Sequence, residues 1–242
     1  MERSRRSRAV KDQVPSFLQV CSYCQNYQIS KDGLGRVMDI DELFERVTGM
    51  IRVNHVHNIN FVTPDHFFPY TFQLITLLRN KGYDLPMVYN LSGYQSIATL
   101  RMAENYADIY LPDFKYSDPS IPMGLSKCRD YPRVALEAIE EMVRQKGFLD
   151  SFEDNADPAG KGVLVRHLIL PGKIENSLNA LTTLFLEFGS KLPLSIMSQY
   201  IPVLRHKDKD LNRVLTQEEF DKVYAHALDL GFERLFVQFP RH

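Results

Sequence analysis

Short β-rich runs and helical patterns alternate along this chain from residue 39 onward, and this alternation constrains the fold most. Apolar runs predict strands at 57–63, 86–90, 108–111, 163–170, 194–198 and 235–239. Helical patterns lie between them, and capping boxes at 39–42 and 216–219 open two of the helices. Strands that alternate with helices favour a parallel sheet with right-handed crossovers. The sequence therefore predicts an α/β fold, either a (β/α) barrel or an open sheet.

Composition limits the classes of partner. The 242 residues are 44% hydrophobic and 11% aromatic, which is enough for one large domain. The formal net charge of −1 gives no long-range reason to bind nucleic acid or an anionic membrane, and no apolar run approaches the ~20 residues of a membrane span. The N-terminus is basic and lacks the apolar stretch of a secretory signal. We therefore expect a basic tail at 1–13 and one domain at 14–242.

Cys21 and Cys24 form a C-x-x-C motif, a spacing that lets both thiols face one metal centre from a tight loop. The same spacing occurs in zinc sites, iron–sulfur sites and thioredoxin-like pairs, and two ordinary thiols are the simplest alternative. Cys128 belongs to a different predicted loop, and we expect it to lie apart from the pair. An odd total of three cysteines does not suggest a disulfide framework and fits a reducing, cytoplasmic compartment.

Polar residues gather where the predicted strands end, which is where parallel barrels place functional groups. Three alternatives remain open there. Asp113 and Lys115 share a strand face, so they could form a simple ion pair. Neighbouring strand residues such as Arg166 and His167 face opposite sides, so at most one of them faces the interior. Three histidines near the second strand suggest a metal site, although surface or hydrogen-bonding roles are commoner at such positions; they are His55, His57 and His66.

The string CSYCQNYQIS at 21–30 resembles the cluster loop of radical S-adenosylmethionine (SAM) enzymes, in the branch similar to pyruvate formate-lyase activating enzymes. The strings HNINFVTPDH, VYNLSGY, DIYLPDFKY, VRHLILPG and MSQYIP follow in the order found in activase-related proteins, so the resemblance covers most of 17–240. The family motif is C-x-x-x-C-x-x-C, and Phe17 stands at its first position. The resemblance implies a partial (β/α)6-type barrel with a parallel sheet and a weak or incomplete first strand.

The resemblance also implies a [4Fe–4S] cluster and SAM as cofactors, with Cys21 and Cys24 as metal ligands. It places Thr63 and Pro64 near the methionine amino group of SAM, at the strand end that also carries Asn60. Asn90 and Ser92 resemble the region that faces the ribose. The remaining implied positions resemble the polar lining near the SAM carboxylate and the substrate, and they are Asp113, Lys115, Arg166 and His167.

The function that this resemblance implies is reductive cleavage of SAM to a 5′-deoxyadenosyl radical, with activation of a glycyl-radical enzyme as one expected use. The implied partners are an electron donor of the flavodoxin or ferredoxin type and a protein substrate. Phe17 leaves two local thiolates, so the alternatives are a non-catalytic barrel that binds or acts as a scaffold, and a two-cysteine site for zinc or a cluster shared between chains. A truncated N-terminus, or a naturally degenerate member, would account for both Phe17 and the weak first strand.

Overall fold

The computed structural model describes residues 21–24, 36, 38–54, 56–150 and 158–240. The predicted tail, the predicted first strand, Phe17 and His55 lie outside these residues, as does the side chain of His66. The helices are α1 (Ile40–Asn54), α2 (Phe68–Asn80), α3 (Ile97–Ala103), α4 (Ser120–Leu125), α5 (Tyr131–Lys146), α6 (Ile174–Phe188) and α7 (Gln217–Leu230). The strands are β1 (Ile59–Val62), β2 (Met87–Leu91), β3 (Ile109–Pro112), β4 (Gly162–Val163), β5 (Val165–Leu168), β6 (Leu194–Met197) and β7 (Leu235–Gln238).

All strand pairs are parallel, as the alternation predicts. One sheet has the order β1-β2-β3-β4 and the other has the order β5-β6-β7. A bridge between Asp113 and Arg166 joins them, and the N–H of Phe114 donates to the carbonyl of Arg166 at 2.8 Å. The predicted strand at 163–170 is thus two short strands that meet at Leu164. The result is the α/β partial barrel that the sequence predicts.

The two faces of the sheet differ in burial. Side chains on the outer face, such as Tyr89, Val165 and Ile196, are fully buried in the main core against the helices. The inner face carries a smaller cluster around Val88, Ile109 and Leu149, while other inner-face positions are exposed, for example Val62 in β1 and Phe236 in β7. Each large outer-face side chain contributes about 1.5–3 kcal/mol through burial, so the helices and the outer face carry most of the stability.

Two caps confirm the predicted helix starts. Asp39 accepts a hydrogen bond from the N–H of Glu42 at 2.8 Å, at the start of α1. Thr216 and Glu219 form a complete capping box at the start of α7. Among the described residues, no helix has both the length and the apolar character that a bilayer crossing requires.

Candidate functional site

The C-x-x-C motif forms a tight turn that the rest of the barrel holds in place. The N–H of Cys24 donates to the carbonyl of Cys21 at 3.2 Å. Ser22 joins the turn to two other segments: its N–H donates to Leu125 O at 2.8 Å, and Nε2 of His206 lies 2.8 Å from its carbonyl oxygen. Cys21 is buried, whereas Cys24 is half-buried. The turn is therefore positioned by the end of α4 and by the loop that follows β6.

A chain of hydroxyl groups lies beneath the Cys21 thiol. Its sulfur is 3.1 Å from Oγ of Ser126, which is 2.8 Å from the hydroxyl of Tyr116. That hydroxyl is 2.5 Å from the hydroxyl of Tyr23. Burial, with smaller contributions from neighbouring groups that include Cys21, raises the pKa of both tyrosines well above the usual value. Both phenols therefore stay protonated at neutral pH, and neutral hydrogen-bonding groups line this side of Cys21.

The expectation that Cys128 lies apart from the motif is wrong. Its thiol donates to the carbonyl of Ser126 at 3.1 Å, so Cys21 and Cys128 both contact Ser126. The short helix α4, which the sequence did not predict, ends beside this serine. Lys127 then adopts a left-handed conformation with φ of 55°, and the chain turns back on itself. Burial raises the pKa of Cys128, and the nearby Cys21 and Asp130 add to the rise.

A polar cluster occupies the strand ends, as predicted. Nη2 of Arg166 donates to Oδ1 of Asn90 at 2.5 Å and also pairs with Asp113. Nζ of Lys115 lies 3.4 Å from Oδ2 of Asp113. The Nε–H of Arg166 is buried and has no hydrogen-bond partner among the described residues. These four side chains come from β2, β5 and the end of β3, and the structure brings them together.

Lys115 connects this polar cluster to the cysteine motif. Burial alone would lower the pKa of Lys115, but the electrostatic influence of Cys21 and Asp113 outweighs that effect and raises it. Lys115 is therefore a cation at neutral pH. Its ammonium group, with Nζ 3.4 Å from Oδ2, stabilises the carboxylate of Asp113.

The structure separates Arg166 from His167. His167 faces the helix side of the sheet, where its two ring nitrogens contact Phe114 O at 2.7 Å and Ser177 Oγ at 2.9 Å. Burial lowers its pKa, so the ring is neutral. The interpretation of His167 as a cofactor-binding residue therefore fails, because a strand directs adjacent side chains to opposite faces. His57 of the suggested metal site is exposed.

The remaining predicted positions also line the strand ends. Thr63 has a left-handed backbone with φ of 52°, and its N–H donates to the carbonyl of Asn90 at 2.8 Å. A non-glycine residue in this region carries strain, which functional sites often contain. Pro64 is buried in the following turn, and Asn60 is exposed on the inner face. Oγ of Ser92 accepts from Nε2 of Gln95 at 3.1 Å, so its oxygen is engaged within its own loop.

Tyr131 is a site residue that the sequence analysis missed. Its hydroxyl is 2.7 Å from Asp113 O and 3.0 Å from Ser92 O, and it accepts from the N–H of Lys115 at 3.1 Å. Gly93 lets the same two loops approach, since a Cβ there would lie 2.0 Å from Asp113 O. No local pattern marks Tyr131, because it is simply the first residue of α5.

The donors present suit a soft metal centre more than a hard one. Thiols at Cys21 and Cys24 are ligands for iron–sulfur clusters and zinc. Over the described ranges, no three Cys, His, Asp or Glu side chains are grouped as a metal ion would require. The described part of the chain therefore offers two thiols in the motif and one thiol beside it.

Sequence comparison gives one relative. No protein-family model matches the chain. An uncharacterized protein of Methanocaldococcus jannaschii is 26% identical over 224 residues, which is 87% of this chain. The chain spans 58% of that relative's length.

Structural comparison gives the clearest likeness. A spore photoproduct lyase matches with a TM-score of 0.56 and 12% identity, over 90% of this chain and 72% of that chain. Streptococcus suis SuiB bound to S-adenosylmethionine matches with a TM-score of 0.54 and 9% identity, over 85% of this chain and 44% of that chain. A domain of pyruvate-formate lyase-activating enzyme from Bacteroides vulgatus matches with a TM-score of 0.50 and 12% identity, over 76% of this chain and all of that domain. At these identities the likeness shows the fold, and this chain has the partial barrel fold of the radical SAM type.

Proposed function

We propose that this chain is a radical SAM protein that holds an iron–sulfur cluster at Cys21 and Cys24 and binds SAM at the strand ends beside it. The proposed reaction is reductive cleavage of SAM to methionine and a 5′-deoxyadenosyl radical. Two of the proteins that share its fold were solved with this ligand, SuiB with S-adenosylmethionine and spore photoproduct lyase with AdoMet. SuiB was also solved with a precursor peptide, which supports a protein or peptide as the proposed substrate.

The observation that carries the proposal is the continuity between the cysteine turn and the strand-end cluster. Nζ of Lys115 lies 3.4 Å from Oδ2 of Asp113, and the hydroxyl of the next residue, Tyr116, is joined to the Cys21 thiol through Oγ of Ser126. Arg166 extends the cluster and carries a buried Nε–H that lacks a partner among the described residues. A buried donor without a partner costs about 1–3 kcal/mol, so a ligand carboxylate that accepts from it would be bound favourably. SAM carries such a carboxylate.

The side chains at this site have the functional groups that these cofactors need. Cys21 and Cys24 would hold the cluster as thiolates, and the ammonium group of Lys115 would offset part of their negative charge. When bound, the reduced cluster supplies the single electron that breaks the sulfonium C–S bond of SAM.

The chain's own residues would orient the ligand and exclude water. Arg166 would donate to the SAM carboxylate, and Asn90 and Asp113 would fix the guanidinium plane. The strained turn at Thr63 would present backbone atoms to the methionine amino group. The buried wall of Tyr23, Tyr116 and Ser126 would keep solvent from the inner side of the cysteine turn.

The test is anaerobic reconstitution with iron and sulfide, followed by SAM binding and by an assay of 5′-deoxyadenosine release with dithionite. We expect the chain to bind SAM, and Arg166→Met to weaken that binding ~10–100-fold, since a hydrogen bond to a charged group contributes about 1.5–3 kcal/mol. Arg133→Met on the exposed face of α5 is the matched control and should bind like the unchanged chain. Equal affinity in both variants would contradict the proposed site.

A non-catalytic barrel that binds SAM is the second candidate, and the observation that favours it is Phe17 at the first position of the family motif. Its signature would be SAM binding through Arg166 without iron retention and without 5′-deoxyadenosine release. Release of 5′-deoxyadenosine in proportion to bound cluster would exclude it. Activation of a glycyl-radical enzyme is a finer proposal, which needs such a partner protein added to the assay.

A further inference from the structure

The two segments that hold the cysteine turn in place are basic. The N–H of Ser22 donates to the carbonyl of Leu125 at 2.8 Å, and Nε2 of His206 lies 2.8 Å from the carbonyl oxygen of Ser22. These contacts come from α4 with the loop after it, residues 120–130, and from the loop after β6, residues 198–209. The two segments contain five Lys or Arg and two Asp, a formal charge of +3, whereas the chain as a whole carries −1. Positive charge is therefore concentrated around the cysteine turn.

The basic side chains of these segments are exposed, while the acidic ones are already paired. Within the described part of the chain, none of the five basic residues forms an ion pair. The carboxylate of Asp208 pairs with Lys173 at 2.7 Å, and that of Asp130 pairs with Arg133 at 3.6 Å. The exposed basic residues are Lys127, Arg129, Arg205, Lys207 and Lys209.

Exposed apolar side chains lie among these charges. Single exposed apolar residues are common on proteins, but here three occur within four consecutive positions. They are Ile201, Val203 and Leu204, and Met123 of α4 is exposed as well. Apolar contacts inside a polar rim are typical of protein–protein interfaces. We call the exposed residues of 120–130 and 198–209 the basic surface.

The same residues fit a protein partner better than a nucleic acid. Proteins that bind single strands combine positive charge with aromatic rings on which the bases stack. The structure describes both segments in full, and no aromatic side chain is exposed in either of them, since Tyr200 is buried. The basic surface thus offers charge and aliphatic contact without a stacking platform.

We propose that the basic surface docks an acidic protein that donates single electrons to the cluster at Cys21 and Cys24. This inference rests on the proposed function, because each reductive cleavage of SAM consumes one electron. The donor is oxidised by one electron and the cluster is reduced by it, without a bond between the two proteins. Electron tunnelling slows steeply with distance, so the donor must dock near the cysteine turn, which both segments contact. Opposite charges on the two surfaces would speed association and set the orientation.

The test measures docking and electron transfer separately, with an acidic flavodoxin as the probe. Fluorescence anisotropy of the labelled, oxidised flavodoxin gives its affinity for the chain. Stopped-flow mixing of the fully reduced flavodoxin with the anaerobically reconstituted chain gives the rate of electron transfer. Lys127→Glu combined with Lys207→Glu reverses one charge in each segment. We expect affinity and rate to fall ~10-fold or more at low salt, and the difference to shrink at ~1 M salt, where the Debye length is about 3 Å.

Lys81→Glu combined with Lys191→Glu is the matched control. Both lysines are exposed and precede β2 and β6, so they lie at the opposite end of the strands from the basic surface. Because this control changes the net charge by the same amount, we expect its affinity and rate to stay within about 3-fold of the unchanged chain. Lys207→Glu combined with Lys209→Glu leaves the left-handed Lys127 untouched and should reproduce the loss. Dithionite is a small reductant that needs no docking surface, and it should reduce all four proteins equally.

The outcomes separate the inference from the proposed function. Equal flavodoxin affinity and rate in the variants of the basic surface and in the matched control would overturn the inference, while a cluster that dithionite reduces would leave the proposed function standing. A single-stranded oligonucleotide that binds more tightly than flavodoxin, and that Lys127→Glu with Lys207→Glu releases, would also overturn the inference. If dithionite finds no cluster in any of the proteins, the proposed function fails, and the anisotropy measurement alone decides whether an acidic protein docks here.

Discussion

Arg166 and His167 are adjacent in β5, yet their side chains meet different surroundings. Arg166 reaches the polar cluster with Asn90 and Asp113, and its buried Nε–H has no hydrogen-bond partner among the described residues. His167 is enclosed between the sheet and α6, where Ser177 and the carbonyl of Phe114 occupy both of its ring nitrogens. The first residue belongs to the polar cluster at the strand ends, and the second holds α6 against the sheet.

His167 should make the stability of the protein depend on pH. Burial lowers its pKa below the ordinary 6.5, so below that pH the unfolded chain binds more protons than the folded chain. The stability is therefore fully present above pH 6.5 and falls as the pH drops towards the folded-state pKa. Between pH 7.5 and 5.5 we expect urea denaturation to show a loss of stability that is absent in His167→Gln. His57→Gln, at an exposed position, is the control and should lose as much stability between pH 7.5 and 5.5 as the unchanged chain. If the stability of His57→Gln is as insensitive to pH as that of His167→Gln, the assignment to His167 is contradicted.

At the scale of elements, Glu219 links the start of α7 to two loops. Its carboxylate accepts from the N–H of Thr216 at 3.0 Å and from the N–H of Gly172 at 2.8 Å. Arg213 donates to both of its oxygens, at 2.7 and 2.8 Å. This pairing with Arg213, helped by the backbone donors, lowers the pKa of Glu219 from 4.5 to about 2. The cap therefore also joins the loop after β5 to the loop after β6.

Glu219→Ala should lower the free energy of unfolding by about 2 kcal/mol at pH 7, since it removes a cap and a charged hydrogen bond. The stabilisation is present above pH 4.5 and is lost as the pH falls towards 2, so the difference between the two proteins should shrink in acid. Denaturant titrations at pH 7 and pH 3 measure both effects. Glu218→Ala lies in the same first turn, and its ion-pair partner Lys222 is exposed, so it should destabilise the protein much less than Glu219→Ala does. Equal costs for the two variants would refute the role of Glu219.

Local patterns predicted the elements well but not the contacts between them. The strand alternation and the two capping boxes are short-range signals, and the structure confirms both. The sequence did not predict α4, a single short turn with no cap and little periodicity. Because α4 and the left-handed Lys127 decide where Cys128 lies, the position of that thiol could not be predicted either. Tyr131 was missed for a related reason, since its three partners lie far away in the sequence.

At the scale of the whole molecule, the continuity of the barrel depends on β4. This short strand pairs with β3, and the chain passes directly from it into β5, which begins the second sheet. Gly162 has φ of 126°, and a Cβ there would lie 2.4 Å from Leu149 Cα and 2.5 Å from Phe148 O. Both obstacles are backbone atoms, which cannot turn aside as a flexible side chain would. Any side chain at this position must therefore move β4 away from the segment that carries Phe148 and Leu149.

Gly162→Ala should consequently destabilise the whole barrel. The unfavourable φ and the backbone clash together predict a loss of about 3 kcal/mol or more in the free energy of unfolding. Gly160→Ala is the matched control two residues earlier, where the added Cβ would make an ordinary contact of 3.5 Å with Asp150, and it should change the stability by less than about 1 kcal/mol. Urea denaturation followed by both circular dichroism and tyrosine fluorescence would show whether the sheets unfold together. If Gly162→Ala unfolds at the same urea concentration as Gly160→Ala, then β4 does not hold the two sheets in one cooperative unit.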